Sequence, residues 1–187
     1  MKFKYENKER TEPKTTKYLG IYGAASVLFR LVPHPANIAP MGAFALFVGA
    51  RGSSRWNMVV PLAAMLISDI FVGFYEWRVM AAVYGSFLAI AMLGRAIRKN
   101  ISAEKIVLGT FAGSAIFFFI TNAAVWAFSP WYTKGAAGLL QSLMAGLPFW
   151  RNSLVGDIVY GTVFFGIYAL VERKYYIKFV KPSFVSG

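Results

Sequence analysis

The chain has no cysteine and a single histidine, His34. Without thiols there can be no disulfide framework, thiolate metal site or cysteine nucleophile, and one imidazole cannot build a multi-histidine metal centre. A Gly-rich phosphate loop followed by Lys-Ser/Thr, a nucleophile elbow and a zinc-binding helix motif are also missing. The chain therefore carries no ATPase of its own, and the reading is of a protein that is not an enzyme, with no cofactor and no metal. Charge is scarce as well. Only 15% of the 187 residues are charged, against 57% hydrophobic and 17% aromatic, which is more apolar surface than one soluble core can hide. Acidic residues are the scarcest, eight against 20 Lys and Arg, giving a net charge of +12. That excess does not point to nucleic acid, because the basic residues fall in the tails and between apolar runs, with no basic stripe beside stacking aromatics.

What the chain does have is long apolar stretches, at about 18–32, 38–50, 57–74, 79–94, 106–128 and 152–171. They lack the alternation of a membrane barrel, and most approach the roughly 20 residues a spanning helix needs. The expected fold is all-α, a polytopic transmembrane bundle of six helices with a short second helix. Residues 1–17 form a basic tail, 18–171 the membrane domain and 172–187 a second basic tail. The first apolar run ends in Leu31-Val32-Pro33-His34-Pro35 and not in a small-residue cleavage site, so it reads as a retained helix and not a signal peptide.

The run Ile38–Ala50 is short for a crossing: thirteen residues at about 1.5 Å each reach only about 20 Å of a hydrocarbon core of about 30 Å. Basic residues decide its reading, because cytoplasmic loops are enriched in Lys and Arg. With six crossings, one side collects the six basic residues of the N-terminal tail, Arg51, Arg55, Arg95, Arg98, Lys99, Lys105, Arg173, Lys174, Lys178 and Lys181. The other side keeps Arg78, Lys134 and Arg151. If the second run turned back, the division would be nearly even. Six crossings are therefore expected, in a cytoplasmic (inner) membrane, with both termini cytoplasmic.

Residues 130–150 read as an outer connection holding a short interfacial helix over 136–147, with Trp131, Tyr132 and Trp150 at headgroup level. Small residues four apart mark faces for close helix packing, namely Gly20 and Ala24, then Gly42, Ala45 and Gly49, then Ala81, Gly85 and Ala89, and finally Gly109 and Gly113. Internal packing is favoured over a partner subunit for these faces.

Ionisable groups at membrane depth are costly and call for pairing, solvation or function. The chain has Arg30, Asp69 and Asp157, with Asn122 as a neutral companion, and the six-crossing topology puts all four in the outer part of the bundle. His34, Asn37, Trp126, Arg151 and Asn152 lie near the same level. Two readings stay open. In one, His34, Asn37, Asp69, Asn122, Trp126, Arg151, Asn152 and Asp157 bind a polar or heteroaromatic small molecule, Arg151 and Asn152 orienting its polar groups and Trp126 supplying a flat surface. In the other, Arg30 and Arg151 neutralise Asp69 and Asp157 as internal ion pairs, and the protein is a structural or assembly subunit with no ligand.

Several segments also carry a resemblance. Arg30-Leu-Val-Pro-His-Pro-Ala-Asn-Ile-Ala-Pro40 and the run on to Gly49, Leu66-Ile-Ser-Asp-Ile-Phe-Val-Gly-Phe74, Thr121-Asn-Ala-Ala-Val-Trp126, and Gly146-Leu-Pro-Phe-Trp-Arg-Asn-Ser-Leu-Val-Gly-Asp157 resemble a family of uncharacterised bacterial membrane proteins. In size and six-helix layout that family is similar to the substrate-binding S components of energy-coupling-factor transporters. The resemblance implies uptake of a vitamin-like micronutrient through a pocket on the outer face. It also implies a transmembrane coupling subunit with two cytoplasmic ATPases as partners, beside the lipid bilayer. The cysteine that some cobalamin-binding S components place on cobalt has no counterpart here.

Overall fold

A computed structural model describes residues 12–33 and 38–179. His34 and Asn37, with most of the two tails, lie outside the described residues. Within them the chain forms six α-helices and no strand: α1 Glu12–Leu31, α2 Met41–Arg51, α3 Val60–Val72 preceded by a 3-10 turn at Arg55–Val59, α4 Trp77–Ile97, α5 Ala103–Phe128 and α6 Ala136–Phe179. Four stretches are long and apolar enough to cross a membrane: Arg55–Val72, Trp77–Ile97, Ala103–Phe128 and Ala136–Arg173. Their outward faces carry large apolar side chains in the open, such as Ile70 and Phe71 on α3 and Val107 and Leu108 on α5, the surface a bilayer would cover. This is a multi-pass membrane protein.

The short second run becomes the centre of the bundle. All residues of α2 from Met41 to Ala50 are buried, and the helix touches each of the other five. Eleven residues span only about 16 Å. That shortness costs nothing at the bilayer, because α2 is solvated by protein and its ends meet protein groups. Phe44 and Phe47 pack with Tyr22 of α1 and Phe164, Phe165 and Tyr168 of α6 in a continuous aromatic cluster. Ring centroids 4.5–6.4 Å apart match the separations such pairs prefer. At the far end of α2, Arg51 pairs with Glu172 at 3.3 Å and lies over the Tyr168 ring.

The sharpest contact is between α2 and α4. A Cβ on Gly49 would stand 2.8 Å from the Ala91 carbonyl carbon and 2.9 Å from Arg95 N. A Cβ on Gly94 would stand 3.0 Å from Leu46 C and Ala50 N. The two glycines let the backbones touch, so dispersion and carbonyl contacts hold helices that gain nothing from hydrophobicity within lipid. Gly109 and Gly113 of α5 instead take the side chains of Leu46 and Ile90, each 3.3 Å from a Cβ at the glycine. The Gly20 and Gly85 faces, read from sequence as packing faces, are open, with nothing within 4 Å of a Cβ at either position.

α6 differs from its expected form. In place of an interfacial helix over 136–147 and a separate spanning helix, one helix of 44 residues runs through Pro148. At about 1.5 Å per residue it extends about 66 Å, more than twice a hydrocarbon core of about 30 Å. Pro148 removes one backbone donor, a loss membrane helices tolerate where neighbours support them. Here α5 is that neighbour. Ser142 Oγ donates to Asn122 O at 2.9 Å, Gly146 lies against the Asn122 side chain, and Trp150 stacks on Phe118 with centroids 5.1 Å apart. The 136–147 stretch is thus the far arm of an α5–α6 hairpin.

These contacts fix the direction of every helix. The starts of α1, α3 and α5 gather with the ends of α2, α4 and α6 at one end of the bundle, where Arg51, Arg55, Arg95, Arg98, Lys99, Lys105 and Arg173 lie. Arg30, Asp69, Asn122 and Asp157 all belong to the opposite half.

Candidate functional site

In that opposite half a cavity of about 220 Å³ opens between the helices, lined by residues of α1 and α3–α6 and by the start of α2. Its body is apolar: Met41, Met65, Val83, Phe87, Ile90 and Phe117. Its polar groups are Arg30 of α1, Tyr75 of the α3–α4 connection, and Ser153 and Asp157 of α6.

Arg30 comes with its counter-charge. Its Nη2 meets Asp69 Oδ1 at 2.7 Å, and its Nη1 donates to Ser68 Oγ and to Met65 O. The other carboxylate oxygen of Asp69 accepts from Tyr84 O–H at 2.7 Å. Asp69 is fully buried behind this shell and does not line the cavity. A desolvated ion pair holds only when its remaining donors and acceptors are also satisfied, and this one is clamped from α1, α3 and α4 together. Tyr75 sits beside the pair. Tyr75 is 41% exposed, and its partial burial, aided by the nearby Asp69 charge, pushes its phenol up to about 12.

Asp157 is the opposite case. It is 6% exposed, and among the described residues the ion pairs are Arg30–Asp69 and Arg51–Glu172, so no cation accompanies it. Its Oδ1 accepts the backbone N–H of Ala43 at 2.9 Å. Ala43 belongs to the first turn of α2, whose N-cap is Pro40 and has no side-chain acceptor to offer. Asp157 therefore caps α2 from another helix, using the orphan donors and the partial positive charge of a helix start. Gly42 makes room for it, since a Cβ there would lie 2.7 Å from Oδ2.

A prediction separates the two duties of this carboxylate. Asparagine caps as well as aspartate but carries no charge. Asp157→Asn is expected to raise the thermal midpoint of the purified protein, because a buried charge is removed and the cap kept. Asp157→Ala should fall below the Asn variant by about 0.5–2 kcal/mol, having lost the acceptor. A thermal unfolding series in one detergent reads both differences.

Of the residues proposed from sequence, Arg30 and Asp157 line the cavity and Asp69 stands behind Arg30. Asn122, Trp126, Arg151 and Asn152 do not line it. Asn122 donates to Phe118 O at 2.8 Å and holds the α5–α6 hairpin. Trp126 Nε1 donates to Thr133 O at 3.0 Å, in a turn closed by Lys134 Nζ on the carbonyls of Trp126 and Ser129. Arg151 is exposed on α6. Of the expected ion pairs, Arg30–Asp69 forms, while Arg151 does not reach Asp157 among the described ion pairs. The wall residues Met41, Val83 and Phe87 and the polar Tyr75 were not singled out from sequence, and Phe117, in the run Phe117-Phe118-Phe119, reads from sequence only as lipid-facing or core packing. Ser153 had a signal, since it shares a helix face with Asp157 four residues on.

No curated protein and no solved structure matches the chain. A family model does match, over residues 9–183, nearly the whole chain. The protein thus belongs to the family of unknown function DUF6580.

Proposed function

We propose that the protein is a non-catalytic membrane receptor that binds a small, vitamin-like molecule in the cavity between its helices and helps to take it up. The observation that carries this reading is the cavity itself: about 220 Å³ of space with an apolar body and polar groups converging from α1, the α3–α4 connection and α6. Ligand sites have this composition. The volume exceeds the roughly 150 Å³ that accommodates benzene and falls short of the roughly 300 Å³ at which drug-sized sites begin. The occupant is a small metabolite. Orientation follows from charge, since the end rich in Arg and Lys belongs on the cytoplasmic side and the cavity then faces outward. The similarity to S components adds an energising partner, a coupling subunit with cytoplasmic ATPases. The open Gly20 and Ala24 face of α1 is available for such a contact.

A second reading, an assembly subunit whose polar groups are only an internal clamp, draws support from the Arg30–Asp69 ion pair and the Tyr84 O–H that joins it. It leaves the cavity, and the Asp157 oxygen that the α2 cap does not use, without a purpose. The two readings divide on one experiment. Native mass spectrometry of gently purified wild-type protein is expected to show a co-purifying small molecule, and Val83→Trp, which fills the cavity, should abolish it in a protein that stays monodisperse. Retention undiminished in Val83→Trp, or no adduct in either protein, would favour the clamp.

A further inference from the structure

The cavity's charges do not balance from within. Arg30, the cation on its wall, is neutralised by Asp69 at 2.7 Å. Asp157, the carboxylate on its wall, is more than nine-tenths buried and has no cationic partner among the described residues. The start of α2 offsets about half a unit charge and occupies Oδ1 through Ala43 N–H. That leaves a carboxylate with spare acceptor capacity facing a space of about 220 Å³. Ser153, one turn before Asp157 on α6, adds a hydroxyl on the same wall. Around these groups stand the rings of Phe87 and Phe117, with centroids 5.2 Å apart, and the thioethers of Met41 and Met65. Aromatic faces attract a cation, and sulfur the polarised edge of a ring.

We propose that the ligand of this cavity is a small organic cation, a protonated amine, amidine or ring nitrogen on a flat or compact apolar body, whose N–H groups pair with Asp157. The inference rests on the binding reading above and names its ligand class. A net carboxylate on the cavity wall repels anions and gains little from neutral molecules, whereas a cation restores the missing partner of a buried carboxylate. The Arg30–Asp69 clamp then serves as a neutral wall.

Three planar probes of nearly identical shape test this: benzamidine (cation), benzamide (neutral) and benzoate (anion). Binding to the full-length protein in detergent is followed by ligand-observed NMR. The expected order is benzamidine, then benzamide, then benzoate, with benzamidine ahead of benzamide by roughly 10- to 100-fold, the value of a charge-assisted hydrogen bond. Asp157→Asn, which keeps the α2 cap, should erase that preference while Val83→Trp blocks all three probes. Equal binding of the three, a reversed order, or a preference that survives Asp157→Asn would overturn the cation assignment and leave the cavity reading standing. Failure of every probe to bind the wild type, together with no adduct in native mass spectrometry, would overturn both.

Discussion

Arg30→Met is expected to cost about 3–5 kcal/mol of stability, because it leaves the fully buried Asp69 carboxylate without its counter-charge. Asp69 is fully buried, and its remaining contact is Tyr84 O–H on Oδ2. The penalty belongs to the unpaired charge and not to the lost attraction, which a double-mutant cycle exposes. Arg30→Met with Asp69→Leu should recover most of the loss, since replacing a whole buried pair by apolar groups is often close to neutral. Tyr84→Phe should cost less, about 1–3 kcal/mol, as it removes one donor from a carboxylate that keeps its guanidinium. Thermal midpoints in detergent, with size-exclusion profiles to check folding, measure the whole series. An Arg30→Met variant as stable as wild type would mean that the clamp holds nothing together.

Internal pairing of Arg30 with a membrane-depth carboxylate is one of the two readings the sequence leaves open, and the reason is general. A charge at membrane depth has so few acceptable environments that two opposite charges placed at one level by the topology are expected to meet. The all-helical, multi-pass character was legible for a similar reason, because an uninterrupted apolar run leaves the backbone no partner but itself. Three things were not. The continuity of α6 was hidden by Pro148 and the polar pair Arg151-Asn152, which together look like a helix boundary; support from Ser142, Gly146 and Trp150 against α5 is a tertiary fact. The central position of α2 was hidden because a short apolar run looks the same whether lipid or protein surrounds it. The cavity walls were hidden for the same reason. Val83, Phe87 and Phe117 are apolar residues on long apolar helices, and periodicity marks an inward face only where the outward face is polar. For the site itself, residue chemistry drew attention to Asn122 and Trp126, which serve the hairpin. It passed over Tyr75, whose place is set by the bend at Gly73, a glycine with a positive φ of 106°.

The glycines show how little of helix rotation a membrane sequence encodes, and they supply the second large effect. Gly85 and Gly94 both lie on α4, but only Gly94 meets a backbone. Gly94→Ala and Gly49→Ala are each expected to destabilise at or above the upper end of the roughly 1–3 kcal/mol typical of overpacking. The obstacle in both cases is main chain, the Leu46 carbonyl for Gly94 and the Ala91 carbonyl for Gly49, and main chain cannot rotate aside as a side chain can. Gly85→Ala, in the same helix with open space around it, should be neutral or slightly stabilising, because alanine is the better helix former by about 0.8–1 kcal/mol. The contrast within one helix removes propensity as an explanation, leaving the α2–α4 contact as the cause. The consequence reaches the cavity, since α2 carries at its start the Ala43 N–H that holds Asp157 and at its other end the glycine that seats it on α4. If α2 is displaced by a methyl group at Gly49, probe binding should weaken even in the fraction that remains folded. Unchanged thermal midpoints for Gly49→Ala and Gly94→Ala would show that the two helices do not pack backbone to backbone.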